Sequence, residues 1–413
     1  MPYFLASTLL FLLGLGIIYW AHSQYHLDIV AAPTAAPEPS RSAPKATPLI
    51  SICVPARNEE RNIRRCVESL LAQTYPNFEI IVLDDRSTDA TAKILEELLL
   101  ESDGSSARQG MPSAREQAPT LQKLRVLHGS DLPPGWAGKP HALCQAANVA
   151  RGEWLCFVDA DTFAAPEAVA ACYVKAIETK ADLFTIMTFQ ELGSFWEKVL
   201  MPLVMTALSV GFSPRKVNDP ARRDAVANGQ FILIKRSVYD AIGGHEKIKD
   251  QIVEDKAISE QVKWNGYRLV LADGYSLART RMYTSLPEMW EGWTKNIYLG
   301  LRDTPSMLLL GAFGATLALI AALFLPVWPV LGLAWLLHGG GALAFGVIVK
   351  SLIVWGALLW ARANVCRGLG ISRWYSLTVP LGAGMFAAIM LTSAWKVLSG
   401  QGVTWRGRVY RPR

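Results

Sequence analysis

From residue 49 onward the chain alternates short, mostly apolar runs with longer stretches whose apolar positions recur every three or four residues. Leu49–Val54, Glu79–Leu83, Leu124–His128 and Trp154–Val158 are short and rich in β-branched or aromatic residues, so they read as strands. Between them, Glu59 to Ala72 places Ile63, Val67, Leu70 and Leu71 on one side of a helix, and Ala90–Leu100 and His141–Ala150 have the same spacing. Further on, Val226–Ile234 and Arg268–Leu271 read as strands, with a helix over Asp255–Asn265 between them. Strands alternating with helices predict an α/β domain with a mostly parallel sheet covered on both faces.

The pattern changes at both ends. Phe4 to Trp20 is uncharged, apolar and about long enough to cross a bilayer. No Lys or Arg precedes it, which favours a retained anchor over a cleaved signal. Ala31 to Pro48, rich in Ala, Pro and Ser, reads as an extended tether. Beyond Arg302 the chain turns apolar again. Met307–Leu325, Gly341–Trp360 and Leu377–Leu398 are expected spans, and Pro326 to Leu337 is either a short span or a re-entrant piece. Four spans would return the arginine-rich tail to the side of the globular domain, as the positive-inside tendency favours. Within the α/β region, Phe195 to Phe212 suits an amphipathic helix on a membrane surface or a buried core helix. The expected organisation is an anchor over residues 1–22, a linker over 23–48, a catalytic domain over 49–303 and transmembrane helices over 304–398. A disordered insertion is expected at residues 102–120, and residues 399–413 form a basic tail.

Composition supports this division. Hydrophobic residues make up 51% of the 413, and the formal net charge is +6. The basic residues gather beside apolar segments (Arg362, Arg367, Arg373) and in the tail, a distribution that suits an anionic leaflet and excludes a nucleic-acid stripe. Six dispersed cysteines without CxxC spacing read as small buried hydrophobes in a reducing compartment.

The chemistry-bearing residues fall at the predicted strand ends. Asp159-Ala160-Asp161 closes the run Trp154–Val158. Carboxylates spaced i, i+2 at a strand end can hold a divalent cation against a diphosphate, although Asp-x-Asp alone is common in turns. Three more clusters accompany it: Val54-Pro55-Ala56-Arg57-Asn58-Glu59, Asp84-Asp85-Arg86-Ser87-Thr88-Asp89 and Val253-Glu254-Asp255. In this order they resemble the motifs of the family 2 glycosyltransferases, which have the GT-A fold, a Rossmann-like α/β architecture. The resemblance covers roughly Leu49 to Gly300.

What the resemblance implies is specific. Pro55, Ala56 and Glu59 would line a nucleotide pocket, Asp84 would accept a hydrogen bond from the base and Asp85 would support that turn. Asp161 would be the direct ligand of Mg²⁺ or Mn²⁺, with Asp159 near the ribose or the metal. Lys139, in Gly138-Lys139, would lie near the donor; the other reading is a solvated loop lysine. Ser87, Thr88 and Asp89 suit a helix cap without any ligand. Asp255 would be the base that takes the acceptor's proton, with Glu254 as its competitor or as a wall of the acceptor pocket. Direct displacement with one base implies inversion at the anomeric carbon. Gln230 is a pocket candidate, and Arg281 and Lys295 are candidates for the donor diphosphate.

The stretch Trp290-Glu291-Gly292-Trp293-Thr294-Lys295-Asn296 departs from the Gln-x-x-Arg-Trp of polysaccharide synthases. That favours one transfer from a nucleotide-diphosphate sugar, with a uridine bias, to a lipid or lipid-linked acceptor. The alternatives are a processive synthase and an inactive binding module, though retention of all four acidic positions argues against the latter. The expected location is the cell inner membrane, multi-pass, with the catalytic domain cytoplasmic.

Overall fold

The computed structural model describes Val30, residues 47–108, 123–211, 213–301, 327–405 and 408–410, and the isolated positions Gly311, Phe313, Gly314 and Thr316. The expected anchor, nearly all of the tether and of Met307–Leu325, residues 109–120 of the expected insertion, and residues 406, 407 and 411–413 of the basic tail lie outside the described residues.

The chain opens with β1 (Ile50–Ala56), α1 (Ile63–Leu71), β2 (Phe78–Asp84) and α2 (Thr91–Arg108). Residues 102–108, expected to belong to the disordered insertion, continue this second helix. Next come β3 (Leu124–His128), α3 (Gly138–Val149), β4 (Trp154–Phe157) and β5 (Thr162–Ala164), then α4 (Ala168–Glu178), β6 (Leu183–Met187) and β7 (Phe189–Gln190). They are followed by α5 (Phe195–Gly211), β8 (Ile232–Lys235), α6 (Glu254–Trp264), β9 (Leu269–Asp273) and β10 (Ala278–Thr280). The last long elements are α7 (Leu286–Leu301), α8 (Trp328–Leu337), α9 (Gly341–Gly368) and α10 (Val379–Leu398). The described residues divide into two units, one of residues 27–191 with 214–282 and the other of residues 192–213 with 283–413.

The first unit is a three-layer α/β domain. Its seven-stranded sheet has the order β3-β2-β1-β4-β8-β6-β9. All neighbours pair in parallel except β8, which runs antiparallel to both β4 and β6. The expectation of a mostly parallel sheet holds, but the strand read as Val226–Ile234 is shorter and reversed, because residues 224–229 form a loop. Period-two alternation splits the core between the two faces. Ile52, Val54, Ile80 and Val82 pack on one face with α1 and α2, and Cys53, Ile81 and Leu83 pack on the other with α3. A smaller sheet of order β5-β10-β7 extends the site side.

The N-terminal ends of β1 and β2 are pinned by a buried carboxylate. Glu79, 1% exposed, accepts from Ser51 Oγ at 2.7 Å, and from the Arg151 backbone N–H, Nε and Nη2 at 2.8, 3.0 and 2.6 Å. Burial works against its charge, yet the Arg151 hydrogen bonds hold the carboxyl below its usual range.

In the second unit α5 packs against α10. A side chain at Gly382 would stand 2.7 Å from Leu203 Cδ1 and 2.8 Å from Val199 O, so only glycine permits this approach. Of the apolar segment, Phe195–Gly211 is thus a helix packed within a helical unit. Two stretches among the described residues, Gly341–Gly368 and Arg373–Leu398, are long and apolar enough to cross a membrane. The first carries Leu343, Phe345, Leu352, Ile353 and Trp360 on its exposed surface. Trp328–Leu337, at about 1.5 Å per residue, is too short to cross alone.

Candidate active site

Ligands of open α/β sheets bind beyond the carboxyl ends of the strands, and every acidic motif of the sequence arrives at that rim. The turn after β1 and the turn after β2 are stitched together. Asn58, held at φ +54°, donates its N–H to Ser87 Oγ at 2.9 Å and accepts the Thr88 N–H at 2.8 Å on Oδ1. Arg57 Nη1 donates to the Asp85 carbonyl at 2.6 Å, and the Asp85 N–H donates to Ala56 O at 2.7 Å. Pro55 is half-buried here and Ala56 is buried. Asp84 and Asp85, each 4% exposed, follow on the neighbouring strand, and Asp84 Oδ1 accepts the Ser87 N–H at 3.2 Å. Glu59, also buried, donates its N–H to Thr91 Oγ1 at 2.8 Å and accepts from Asn62 Nδ2 at 3.3 Å. Asp89 serves as the expected cap, its Oδ1 accepting from the Thr91 N–H at 3.0 Å and from Oγ1 at 2.6 Å. The stitching by Asn58 and Arg57 was not read from the sequence; the one available signal was their place between Pro55 and Glu59.

The centre of the cluster is Lys139, in the first turn of α3. Its ammonium stands 2.6 Å from Asp159 Oδ1 and 2.6 Å from Glu254 Oε1. One cation therefore joins the turn after β4 to the start of α6, two motifs far apart in sequence. The reading of Lys139 as a solvated loop residue is not what the structure shows. Burial opposes its charge, but the carboxylates of Asp159, Glu254 and Asp255 hold it protonated well above the ordinary lysine range.

Asp255 lies beside this clasp at the N-terminus of α6, an end that favours negative charge. Its Oδ2 accepts the Gly229 N–H at 3.2 Å and its Oδ1 accepts the Lys256 N–H at 2.7 Å. A Cβ at Gly229 would sit 3.2 Å from Asp255 Oδ2 and 3.2 Å from Lys139 Nζ, so the bare backbone lets both groups close in. Burial and the nearby Glu254 push the Asp255 carboxyl up to about 6, with Lys139 working in the other direction. Asp159 is likewise raised above the ordinary carboxylate range, by burial and by Asp161 and Glu254, against the pull of Lys139.

Gln230, 5% exposed, turns its carboxamide oxygen into a buried knot. It accepts from Gln190 Nε2 at 3.2 Å, from Asn228 Nδ2 at 3.3 Å and from the Thr188 hydroxyl. These bonds fix the turn that presents Gly229. Arg281 follows β10, which pairs antiparallel with β5 in a register that sets Thr280 opposite Thr162. Thr280 Oγ1 also donates to the Asp161 carbonyl at 3.1 Å, so the backbone of Arg281 runs alongside that of Asp161. Lys295 belongs to α7 in the other unit. His245, buried beneath the site, is kept neutral by that burial, which lowers it to about 4, and its Nδ1 stands 2.9 Å from Tyr239 Oη. It has the surroundings of a structural histidine.

Among the described residues no group of three or more His, Cys, Asp or Glu side chains is placed to hold a metal by itself. The donor set does fit a divalent ion of the Mg²⁺ or Mn²⁺ kind. Asp159 and Asp161 offer hard carboxylate oxygens, the cluster carries more negative charge than Lys139 balances, and such ions complete their shell with water and substrate phosphate.

Comparison with known proteins supplies the family and the fold. Residues 51–243 match the family model described as Glycosyl transferase family 2. The chain is 25% identical over 365 residues to "4,4'-diaponeurosporenoate glycosyltransferase" of Staphylococcus aureus strain USA300, covering 87% of this chain and 88% of that one. The protein of the same name from strain MRSA252 is 26% identical over 366 residues, at the same coverage. Among solved structures, the mannosyltransferase PcManGT from Pyrobaculum calidifontis, in complex with GDP-Man and Mn²⁺, aligns with a TM-score of 0.51 at 16% identity. That alignment covers 95% of this chain and 97% of the other, and it shows a shared GT-A-like fold. With its ordered acidic motifs gathered on one rim of that fold, the chain is a glycosyltransferase that carries a family 2 domain over residues 51–243.

Proposed function

We propose that the enzyme moves one sugar from a nucleotide-diphosphate donor, a UDP-sugar, to a lipid acceptor, with inversion at the anomeric carbon. The observation that carries this reading is the clasp of Lys139 between Asp159 and Glu254, with Asp255 beside it: donor-side and acceptor-side motifs meet at one point. Pro55, Ala56, Glu59, Asp84 and Asp85 form the nucleotide end of the rim, where Asp84 and Asp85 are fixed by backbone bonds and need no rearrangement to receive a base. Asp161 and Asp159 would hold a divalent ion that, when bound, stabilises the charge developing on the diphosphate. Lys139 adds a protein cation to the same charge, and Arg281 lies along the same backbone.

On the opposite side, Asp255 receives the acceptor hydroxyl's proton as the acceptor oxygen bonds to the anomeric carbon and the bond to phosphate oxygen breaks. Its raised carboxyl suits a base working near neutral pH. Glu254, spoken for by Lys139, shapes the site. No covalent sugar–enzyme intermediate is required.

The acceptor is read from two features. The helical unit exposes long apolar faces on α9, and Arg373–Leu398 is a second stretch of spanning length, which supports membrane residence; our reading is the cell inner membrane with the catalytic domain cytoplasmic. The relatives named for 4,4'-diaponeurosporenoate support an apolar, carotenoid-type acceptor. A processive synthase fits less well, because Trp290–Asn296 lacks the Arg-Trp pair that would steady a growing glycan.

The test is direct. Full-length protein in lipid, given UDP-sugars and a carotenoid-type acid, should form a product heavier by one hexose only when Mn²⁺ or Mg²⁺ is present. Removal of the ion by chelation, or Asp161→Ala, should stop product formation while the fold survives. Unchanged turnover in excess chelator would overturn the metal assignment, and a ladder of products would overturn single transfer.

A further inference from the structure

Among its described residues the helical unit contains a charge without an ion-pair partner. Arg362 lies on α9, inside one of the two stretches long enough to span a membrane, and is only 5% exposed. Its Nη2 donates to the carbonyls of Lys198 at 3.1 Å and Val199 at 2.8 Å on α5. The first of these carbonyls is free to accept because its helical donor would be the N–H of residue 202, and residue 202 is proline. Nε and Nη1 are buried and donate to nothing. Three of the five guanidinium N–H groups are thereby unmatched.

A buried cation is retained only when paired, and the described residues of this unit offer Arg362 no ion-pair partner. Among its described residues the acids are Glu197, Glu288 and Glu291. Glu197 accepts from the Ser194 N–H at the start of α5, and Glu288 accepts the Thr284 N–H at 2.8 Å and hydroxyl at 3.0 Å. From residue 304 to residue 413 the sequence has no Asp or Glu at all, against nine Lys and Arg. Among the described residues no carboxylate pairs with Arg362, which leaves its counter-ion to the surroundings.

The surroundings indicate its kind. Trp360 and Trp374, 69% and 71% exposed, flank Arg362 in sequence, as aromatic residues do at the headgroup level of a bilayer. Lys198, whose carbonyl Arg362 binds, places its own ammonium 5.8 Å from the Tyr375 ring centroid. Below them α9 exposes Phe345, Leu352 and Ile353. We infer that Arg362 is the binding site for the anionic group of a lipid: a phosphate or carboxylate on an apolar chain, held by the guanidinium N–H groups that α5 leaves unpaired.

This rests on the membrane reading above, and the two fail separately. Membrane residence fails if alkaline carbonate releases the protein from membranes; the anion site fails if membrane-held protein keeps no anionic lipid. The experiment takes full-length protein into neutral detergent and counts retained lipid by native mass spectrometry. Phosphatidylglycerol is then titrated into phosphatidylcholine nanodiscs while the unfolding midpoint is followed. About one anionic lipid per chain should survive extraction, and the midpoint should rise with phosphatidylglycerol but not with inorganic phosphate at equal concentration. Arg362→Gln should lose both effects, and Arg362→Lys should bind about tenfold more weakly because it lacks the fork. Pro202→Ala gives the Lys198 carbonyl back its helical donor and should leave lipid retention intact, which a purely structural arginine would not predict. No retained lipid in the unaltered protein, equal retention by Arg362→Lys, or an equal rise with inorganic phosphate would overturn the assignment.

Discussion

The two ends of the same sheet handle buried carboxylates in opposite ways. At the N-terminal end Glu79 is met by Ser51 and by both the backbone and the guanidinium of Arg151, and its carboxyl lies below the usual range. At the C-terminal end Asp159, Glu254 and Asp255 crowd one lysine, and burial together with that crowding pushes Asp159 and Asp255 up. Matched charge stabilises the fold, whereas crowded charge is costly until something cationic or protonated arrives. The difference separates a pin from a site, although both consist of acids and bases on adjacent strands.

The signs follow. Glu79, lowered in the folded state, contributes stability above its unfolded pKa that is lost as pH falls. Asp255, raised to about 6, makes the ionised folded state less stable as pH rises from about 4 to 6.

The largest expected break is Asp255→Asn: a fall in kcat of about 10²–10⁴-fold with donor affinity nearly unchanged. Its unfolding midpoint at pH 7 should not fall, and normal transfer would remove the base assignment. Lys139→Met should cost about a hundredfold in kcat/KM by removing the cation that joins Asp159 to Glu254; calorimetric UDP titration of the folded variant should show weakened binding. Arg151→Met should leave kcat and KM untouched but lower stability by about 2 kcal/mol, read by urea denaturation. Were Arg151→Met to harm catalysis while Lys139→Met harmed only stability, the contrast would be reversed. Gly229→Ala should slow transfer about tenfold without moving the midpoint, since it separates Asp255 from Lys139 by a few tenths of an ångström. Sharpest and smallest is the pH profile of kcat/KM. With burial, then Glu254 and Asp159, raising Asp255 and Lys139 lowering it, activity should climb through about pH 6 and fall about tenfold per unit below it; a midpoint near 4 would contradict this burial and crowding.

Much of this was legible in the sequence because both strands and motifs are local. Ile50–Ala56, Phe78–Asp84 and Leu124–His128 appear within two residues of where periodicity placed them. The four acidic motifs could be ordered by reading alone. What was not legible depends on pairing. β6 and β10 went unread, because Leu183–Met187 has the same apolar character as a helix segment and Ala278–Thr280 is too short to show a period. The direction of β8 is set by its partners β4 and β6, not by its own four residues. The roles of Lys139 and Asn58 were hidden for the same reason: each acts by joining two segments that are remote along the chain.

The reversed strand has a consequence for how such an enzyme can diversify. Because β8 enters the sheet from the catalytic rim, the loop before it ends at Gly229, beside the base, whereas the nucleotide end is built from turns that leave β1 and β2. Lys263 fastens that loop from beneath through the carbonyls of Lys216, Val217 and Asp224. Lengthening or recolouring the loop above its anchor would offer new acceptors to an unaltered donor half, so kinship in what is given need not imply kinship in what receives it.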